Sequence, residues 1–333
     1  MNSQERELFW KTLYSLSGTD IKQDSEKLKN VIKYPKYLFR YRSVNSNNLE
    51  ALRTNKLYFS SANYYDDPFD TFLHIDIKAL EDEYLQASQN LRGAQNIVDE
   101  IKTFYSDILT PEQKDQLTAE NVINTISQNP VEIFLRSALE LRDEIKKDTW
   151  SICFSENGFN ETLWLKYANQ HKGFTLIYDL ENNENFLCGK QEKCKNCGIK
   201  KLGTPLYPIY YSNDPYDATS FAKKLMFRKL EDNAKIPLPK QLYMKLGTGF
   251  WERERTTLIK KKCHEYDEEW RMIIGPQIEP PIMMEWIPDG IILGLRMNAT
   301  EEKLVIAIAK QAGIKNIYKS YIDSLNQLNA ALI

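Results

Sequence analysis

Residues 37–70 read YLFRYRSVNSNNLEALRTNKLYFSSANYYDDPFD, and this stretch decides how the chain is organised. Tyr37–Tyr41 predicts an aromatic strand that carries Arg40, with Arg42 just past its end. A short helix follows. Asn47 is a candidate N-cap with Glu50 three residues on, close to a capping box. Leu49 and Leu52 share a face, and Asn55 suits a left-handed stop. Lys56–Ser61 alternates Leu57 and Phe59 with Tyr58 and Ser60, the period of a second strand. The loop beyond it gathers Asp66, Asp67 and Asp70 around Pro68 and Phe69. Three neighbouring carboxylates repel one another. They either face a ligand, a cation or an arginine, or they form a solvated turn initiated by Asp–Pro.

Upstream, Glu5–Ser17 and Ser25–Lys33 predict helices, so residues 1–36 form an N-terminal helical segment. Downstream, residues 77–147 turn helical over Leu80–Phe104, Pro111–Ser127 and Pro130–Lys147, with Thr110 and Asn129 placed to cap before prolines. This reads as a helical insertion into a core made of residues 37–76 and 148–333. Thr149–Ser155 predicts a strand, and Asn160 caps a helix over Glu161–Asn169. Trp164, Tyr167 and His171 then meet at the turn into a strand, Phe174–Tyr178. Such a group suits a cleft; the plainer alternative makes Trp164 core and His171 a surface turn residue.

Residues 181–203 are a polar excursion containing Cys188, Cys194 and Cys197. Cys194-x-x-Cys197-Gly resembles half of a zinc knuckle, with Cys188 a candidate third ligand and Cys263 or His264 a candidate fourth. The expectation is a structural zinc, against free cysteines in a surface loop. Pro205–Tyr211 predicts a strand, and Thr219–Ala234 and Lys240–Lys262 predict charged helices. An acidic turn then runs into a strand, Glu269–Ile274, where period two puts Glu269, Arg271 and Ile273 on one face. Arg271 can orient the Glu269 carboxylate by a charge-assisted hydrogen bond, or the two form an edge-strand ion pair. Gly290–Leu295, Thr300–Gly313 and Asn316–Tyr321 alternate strand, helix and strand and complete the sheet.

The 333 residues allow one large or two ordinary domains, and 42% hydrophobic with 27% charged residues is an ordinary globular composition. A net charge of −2 argues against a polybasic nucleic-acid grip over the whole surface, while a local basic groove stays open. The polar, charged stretch Met1–Asn30 leads us to expect no signal peptide, no apolar run reaches membrane-spanning length, and five cysteines, three of them clustered, do not resemble a secreted disulfide scaffold. A cytoplasmic protein with no membrane association is expected. Neither a Rossmann nor a P-loop glycine motif occurs.

Six stretches, FRYRS, KLYFSSANYYDDPFD, CFSE, WLKYANQHKGFTLIYD, YDEEWRMII and GIILGL, resemble the bacterial domain-of-unknown-function family 2971. Two positions depart from its pattern: Asp66 stands where Asn is usual, and Asp267 where Glu is usual. More distantly, the order of a basic strand, a Ser/Tyr strand and a late strand opening with Glu is similar to the ADP-ribosyltransferase fold. That resemblance implies an α+β fold with a mixed or antiparallel split central sheet and NAD as substrate. It implies Arg40 or Arg42 as the early basic residue, Ser60, Ser61 or Tyr167 in the middle, and Glu269 as the catalytic carboxylate. Tyr41, Tyr58, Asp67, Trp164 and Arg271 would join the cofactor site, and His171 would take part in catalysis. An unknown protein or nucleic-acid acceptor and an antitoxin or defence-system partner belong to the same expectation, as does a role as a bacterial toxin or anti-phage effector. Two alternatives remain: a nucleotide- or nucleic-acid-binding protein without catalysis, and a metal-dependent nuclease or hydrolase using Asp66, Asp67, Asp70, His171 and Glu269.

Overall fold

A computed structural model describes residues 1–82, 91–104, 106, 109–126, 130–180, 206–222, 250–275 and 283–333. The chain opens with helices α1 (Ser3–Ser15) and α2 (Ile21–Val31), capped by Asn2 and Asp20. Strand β1 (Tyr37–Arg42) leads into α3 (Ser46–Arg53). The cap of α3 is Asn45, two residues before the predicted position, because its side chain accepts from the Asn48 amide. Asn55 ends this unit with φ at 52°, the left-handed conformation that Asn tolerates. The predicted second strand is two short ones, β2 (Lys56–Tyr58) and β3 (Ser60–Ser61).

Helices α4 (Leu91–Phe104), α5 (Pro111–Gln116), α6 (Ala119–Ile126) and α7 (Pro130–Asp148) make up the helical insertion. Thr110 and Gln113 form a full capping box at the start of α5. The helices enclose their own core around Leu73, Ile97, Val98 and Ile145, which also takes in Ala218, Phe221 and Ala222 from far along the chain. Strand β4 (Trp150–Ser155), helix α8 (Glu161–Lys166) and strand β5 (Phe174–Asp179) follow. After residue 205 come β6 (Leu206–Pro208), β7 (Tyr210–Ser212), α9 (Glu252–Thr257), β8 (Ile259–Lys261) and β9 (Glu269–Ile274). The chain closes with β10 (Met283–Glu285), β11 (Gly290–Leu293), α10 (Ala299–Gln311), β12 (Asn316–Ile322) and β13 (Leu328–Leu332).

The fold is α+β with a mixed central sheet in the order β13-β12-β11-β5-β1-β4-β9-β6, and β3 pairs with β4 as a side branch. Within this sheet, among the described residues, only β11 and β12 run parallel; the other neighbours are antiparallel. One face packs against α1, α2, α3 and α10 through Phe9, Leu13, Leu28, Leu52 and Val305. Each such fully buried aliphatic or aromatic side chain contributes roughly 1.5–3 kcal/mol. The other face carries Tyr41 and Ile292 under Trp164 and Leu163 of α8. Strand β9 lies inside the sheet and is buried along its whole length, so the Glu269–Arg271 pair is not at an edge.

At the entry to β5, a Cβ on Gly173 would lie 2.1 Å from the Arg42 carbonyl oxygen and 3.0 Å from the Ala168 backbone. Gly173→Ala is therefore expected to destabilise the protein by about 1–3 kcal/mol or more, and a urea midpoint close to wild type would refute that contact.

Candidate functional site

Strand alternation sorts the candidate residues. Phe39 pairs with Ser155, Ser155 with Glu269 and Cys153 with Arg271, so Phe39, Tyr41, Cys153, Ser155, Glu269 and Arg271 share a face. Arg40 pairs with Leu176 and belongs to the opposite face, with Arg42, Phe154 and Tyr178. β1 and β4 share only the Phe39–Ser155 position. Beyond it the strands part, and β4 instead takes β3 as neighbour, with Ser60 opposite Ser151. Arg40, Arg42 and Ser60 stand at this parting and line two cavities.

The first cavity, about 230 Å³, lies on the Glu269 side. Its wall is charged in both senses: Arg40, Arg42, Lys166, Lys260 and Arg271 against Asp66, Asp67, Asp70, Asp267 and Glu269. Most of these charges are spent on one another. Arg271, 1% exposed, donates from Nη1 and Nη2 to the two oxygens of Asp70 at 2.7 and 2.5 Å. Its Nε donates to Glu269 Oε1 at 2.6 Å, and Nη1 also reaches the Thr257 carbonyl. Lys260 Nζ lies 2.9 Å from Glu269 Oε2, 3.0 Å from Asp267 and 3.7 Å from Asp70. Three carboxylates thus surround two cations, leaving one net negative charge on this cluster of the wall. Glu269 is 7% exposed, so it begins its strand but does not stand free at a rim.

The pKa shifts follow from this packing. Burial raises Glu269, but Arg271 and Lys260 outweigh it and hold the carboxyl well below the usual range. Burial dominates at Asp267 and pushes it up despite Lys260. Lys260 is raised: burial opposes its charge, but Glu269 and Asp70 more than compensate. Burial, reinforced by Glu269, pushes the Cys153 thiol up to about 12, which keeps it protonated and unreactive at neutral pH.

Local turns place these groups. Asp67 accepts from the Phe69 amide and the Asp70 amide bonds the Asp67 carbonyl, so the acidic loop folds back and aims Asp70 at Arg271. Asp67 itself meets His264 Nε2 at 3.3 Å. Glu268 adopts a left-handed φ of 45°, turning the chain from a 3-10 turn at Lys262–Asp267 into β9. Ser155 Oγ donates to the Asp267 carbonyl and fixes that turn against β4. Tyr65 hydrogen-bonds Ser151 and lies beneath the Arg271 guanidinium, 5.3 Å from its ring centre.

Arg40 and Arg42 differ from the other charges. Arg40 is 8% exposed, Nη2 donates to the Tyr58 carbonyl at 3.3 Å, and Nε has no hydrogen-bond partner. Arg42 donates to the Tyr41 carbonyl. Neither pairs with a carboxylate among the described residues. Burial lowers both pKa values, that of Arg40 to about 9, so both remain cationic at neutral pH.

The other expected residues divide. Tyr167, 39% exposed, lines the first cavity with Lys166, whose ammonium lies 4.9 Å from its ring centre. Tyr41 also lines it, donating to the Asn157 carbonyl. Tyr58 lines the second cavity and not the first. Ser61 is buried and donates to the Lys146 and Lys147 carbonyls of α7. Trp164 is fully buried, donates to the Gly158 carbonyl and has no face toward either cavity. His171 stacks on Trp164 at 5.7 Å, outside both cavities, with its pKa lowered by burial. It closes a run of three left-handed residues, Asn169, Gln170 and His171, with φ of 47°, 58° and 66°. That run ends α8 early and leaves Tyr167 at the cavity mouth. Cys188, Cys194 and Cys197 lie outside the described residues, Cys263 is exposed, and His264 is taken up by Asp67.

Sequence reasoning missed Lys260, Tyr65, Ser151 and Cys153. Lys260 was hidden by a helix predicted over Lys240–Lys262. The β-branched run Thr256-Thr257 and Ile259 was the signal that the helix stops at Thr257 and a strand takes over. No family model, curated protein or solved structure matches the chain. No described helix is long and apolar enough to cross a membrane.

Proposed function

We propose that the parting between β1 and β4 binds a nucleotide of the NAD type, and that the chain cleaves it at the Glu269 wall to transfer ADP-ribose, in the manner of an ADP-ribosyltransferase. The observation that carries this reading is the buried Arg40 guanidinium, unpaired with any acid among the described residues, beside a Glu269 cluster that keeps one net negative charge. An unpaired buried cation costs folding free energy, and an incoming phosphate offsets that cost with charge-assisted hydrogen bonds. NAD has the matching division of charge: an anionic pyrophosphate for Arg40 and Arg42, and a ribose–nicotinamide end that is cationic and becomes more so at the ribose as the bond breaks. Strand order gives partial support: the arginine strand β1 and the glutamate strand β9 both neighbour β4, while β3, which carries Ser60 and Ser61, joins β4 only as a side branch.

One observation favours a second reading, nucleotide binding without chemistry. Both Glu269 oxygens already accept from cations, Oε1 from Arg271 and Oε2 from Lys260. The hydrolase reading gains less. Lys260 Nζ occupies the centre that Asp70, Asp267 and Glu269 would offer a metal, and His171 stands apart from them.

The test is calorimetric titration of NAD into wild type and Arg40→Met. Charged hydrogen bonds contribute about 1.5–3 kcal/mol each, so the variant is expected to bind roughly ten- to a hundredfold more weakly. Its thermal stability should equal or exceed wild type, because Met fills the space without a charge to desolvate. A variant that melts earlier and binds NAD unchanged would make Arg40 a structural residue.

A further inference from the structure

The second cavity, about 560 Å³, is larger than the first and lies on the opposite face of the sheet. The two share Arg40, Arg42 and Ser60, so the arginines stand where they meet. We infer that the second cavity is a base-binding subsite, and that the ligand is a dinucleotide threaded through the parting. Its phosphates lie on Arg40 and Arg42, a purine occupies the second cavity, and the other nucleoside faces Glu269. This inference rests on the nucleotide reading above and deepens it.

The lining suits a base. Tyr58 and Trp286 give the second cavity aromatic edges, and the rings of Trp286 and Tyr178 pack 4.6 Å apart behind them. Aromatic side chains accept any base through its π-face. Asn55 adds a hydrogen-bonding handle: its Nδ2 is held by the Ala312 carbonyl at 2.9 Å, while Oδ1 is buried with no partner among the described residues. A buried acceptor without a donor is costly, and an exocyclic amine such as that of adenine would satisfy it. Arg40 supplies the link, because its Nε is likewise buried and unpartnered at the junction of the cavities. A mononucleotide could reach the arginines from one side only.

The experiment compares NAD with nicotinamide mononucleotide, which lacks the adenosine half, on wild type and Ala51→Phe. Ala51, on α3, lines the second cavity and not the first, so the added ring obstructs the second alone. Wild type is expected to bind NAD about tenfold or more tightly than the mononucleotide, the usual scale of one stacked base. In Ala51→Phe that advantage should vanish while mononucleotide affinity stays within about twofold of wild type. Equal affinity of wild type for the two ligands overturns the two-cavity assignment without any variant. So does full NAD affinity in Ala51→Phe, or a parallel loss of both ligands. If neither ligand binds wild type, the nucleotide reading itself has failed.

Discussion

Arg271→Met is expected to cost about 3–5 kcal/mol of folding stability, the usual scale for removing one partner of a buried ion pair. The guanidinium is 1% exposed and donates to Asp70, Glu269 and the Thr257 carbonyl at once. Methionine would leave Asp70 with Lys260 at 3.7 Å as its nearest cation, and Glu269 with Lys260 alone. Three carboxylates, Asp70, Asp267 and Glu269, would remain buried around one ammonium. The loss should depend on pH in a definite direction. Glu269 titrates below its unfolded value, so its stabilisation is present above about pH 4.3 and lost as pH falls through the lower folded pKa. Asp267 is raised and works the other way: its contribution is present below its unfolded pKa and lost as pH rises through the folded one. Lys260, raised, keeps its contribution below about pH 10.4 and loses it only in stronger alkali. The gap between wild type and variant is therefore widest near neutrality and narrows below about pH 4, as protonation removes the charge that Arg271 balances. Urea titrations at pH 7 and pH 3.5 measure it. Coincident midpoints at pH 7 would mean that the network adds nothing to stability.

Glu269→Gln should separate chemistry from architecture. Glutamine keeps the length and one carbonyl acceptor, so Arg271 retains Asp70 and Thr257, and Lys260 retains Asp267. The cluster then goes from three carboxylates against two cations to two against two, which is balanced rather than stranded. Stability should fall less than in Arg271→Met. NAD cleavage should drop by about two to three orders of magnitude, because the cluster loses the net negative charge that a developing ribosyl cation needs. Nicotinamide release and thermal unfolding, measured side by side on the same preparations, decide the matter. Normal turnover in a variant that melts much earlier would leave Glu269 as a clamp for β9 and Arg271, and binding without catalysis would be the better account.

Much of this site was legible because period two is hard to misread. Glu269 and Arg271 had to share a face, whereas the acidic loop was equally readable as a solvated turn until Asp70 proved to meet Arg271 across 201 positions of sequence. What alternation could not reveal was which strands become neighbours. The same rule that joined Glu269 to Arg271 set Arg40 on the other face, and only the parting of β1 from β4 brings Arg40 to the same cavity. Burial was the second illegible quantity. Trp164 and His171 looked like cleft residues by type, yet Trp164 is buried in a core with Tyr41 and Ile292, and His171 stacks on it outside both cavities. Strand β13 escaped notice because its residues, LNAAL, carry neither β-branched side chains nor a clear alternation.

The order of strands across the sheet differs from their order along the chain, and this sets a timetable for folding. β1 lies between β4 and β5, whose paired residues are more than a hundred positions away, and β5 gains its other neighbour only with β11. A chain leaving the ribosome therefore carries β1 with open edges until residue 179 has emerged, and β5 with one open edge until residue 293. The helical insertion has most of its core within residues 73–145 and can collapse early, from local contacts. Translation thus yields a compact helical unit first, tethered to strands still waiting for partners. Those waiting strands, rich in aromatics, are where premature release or truncation would lead to aggregation.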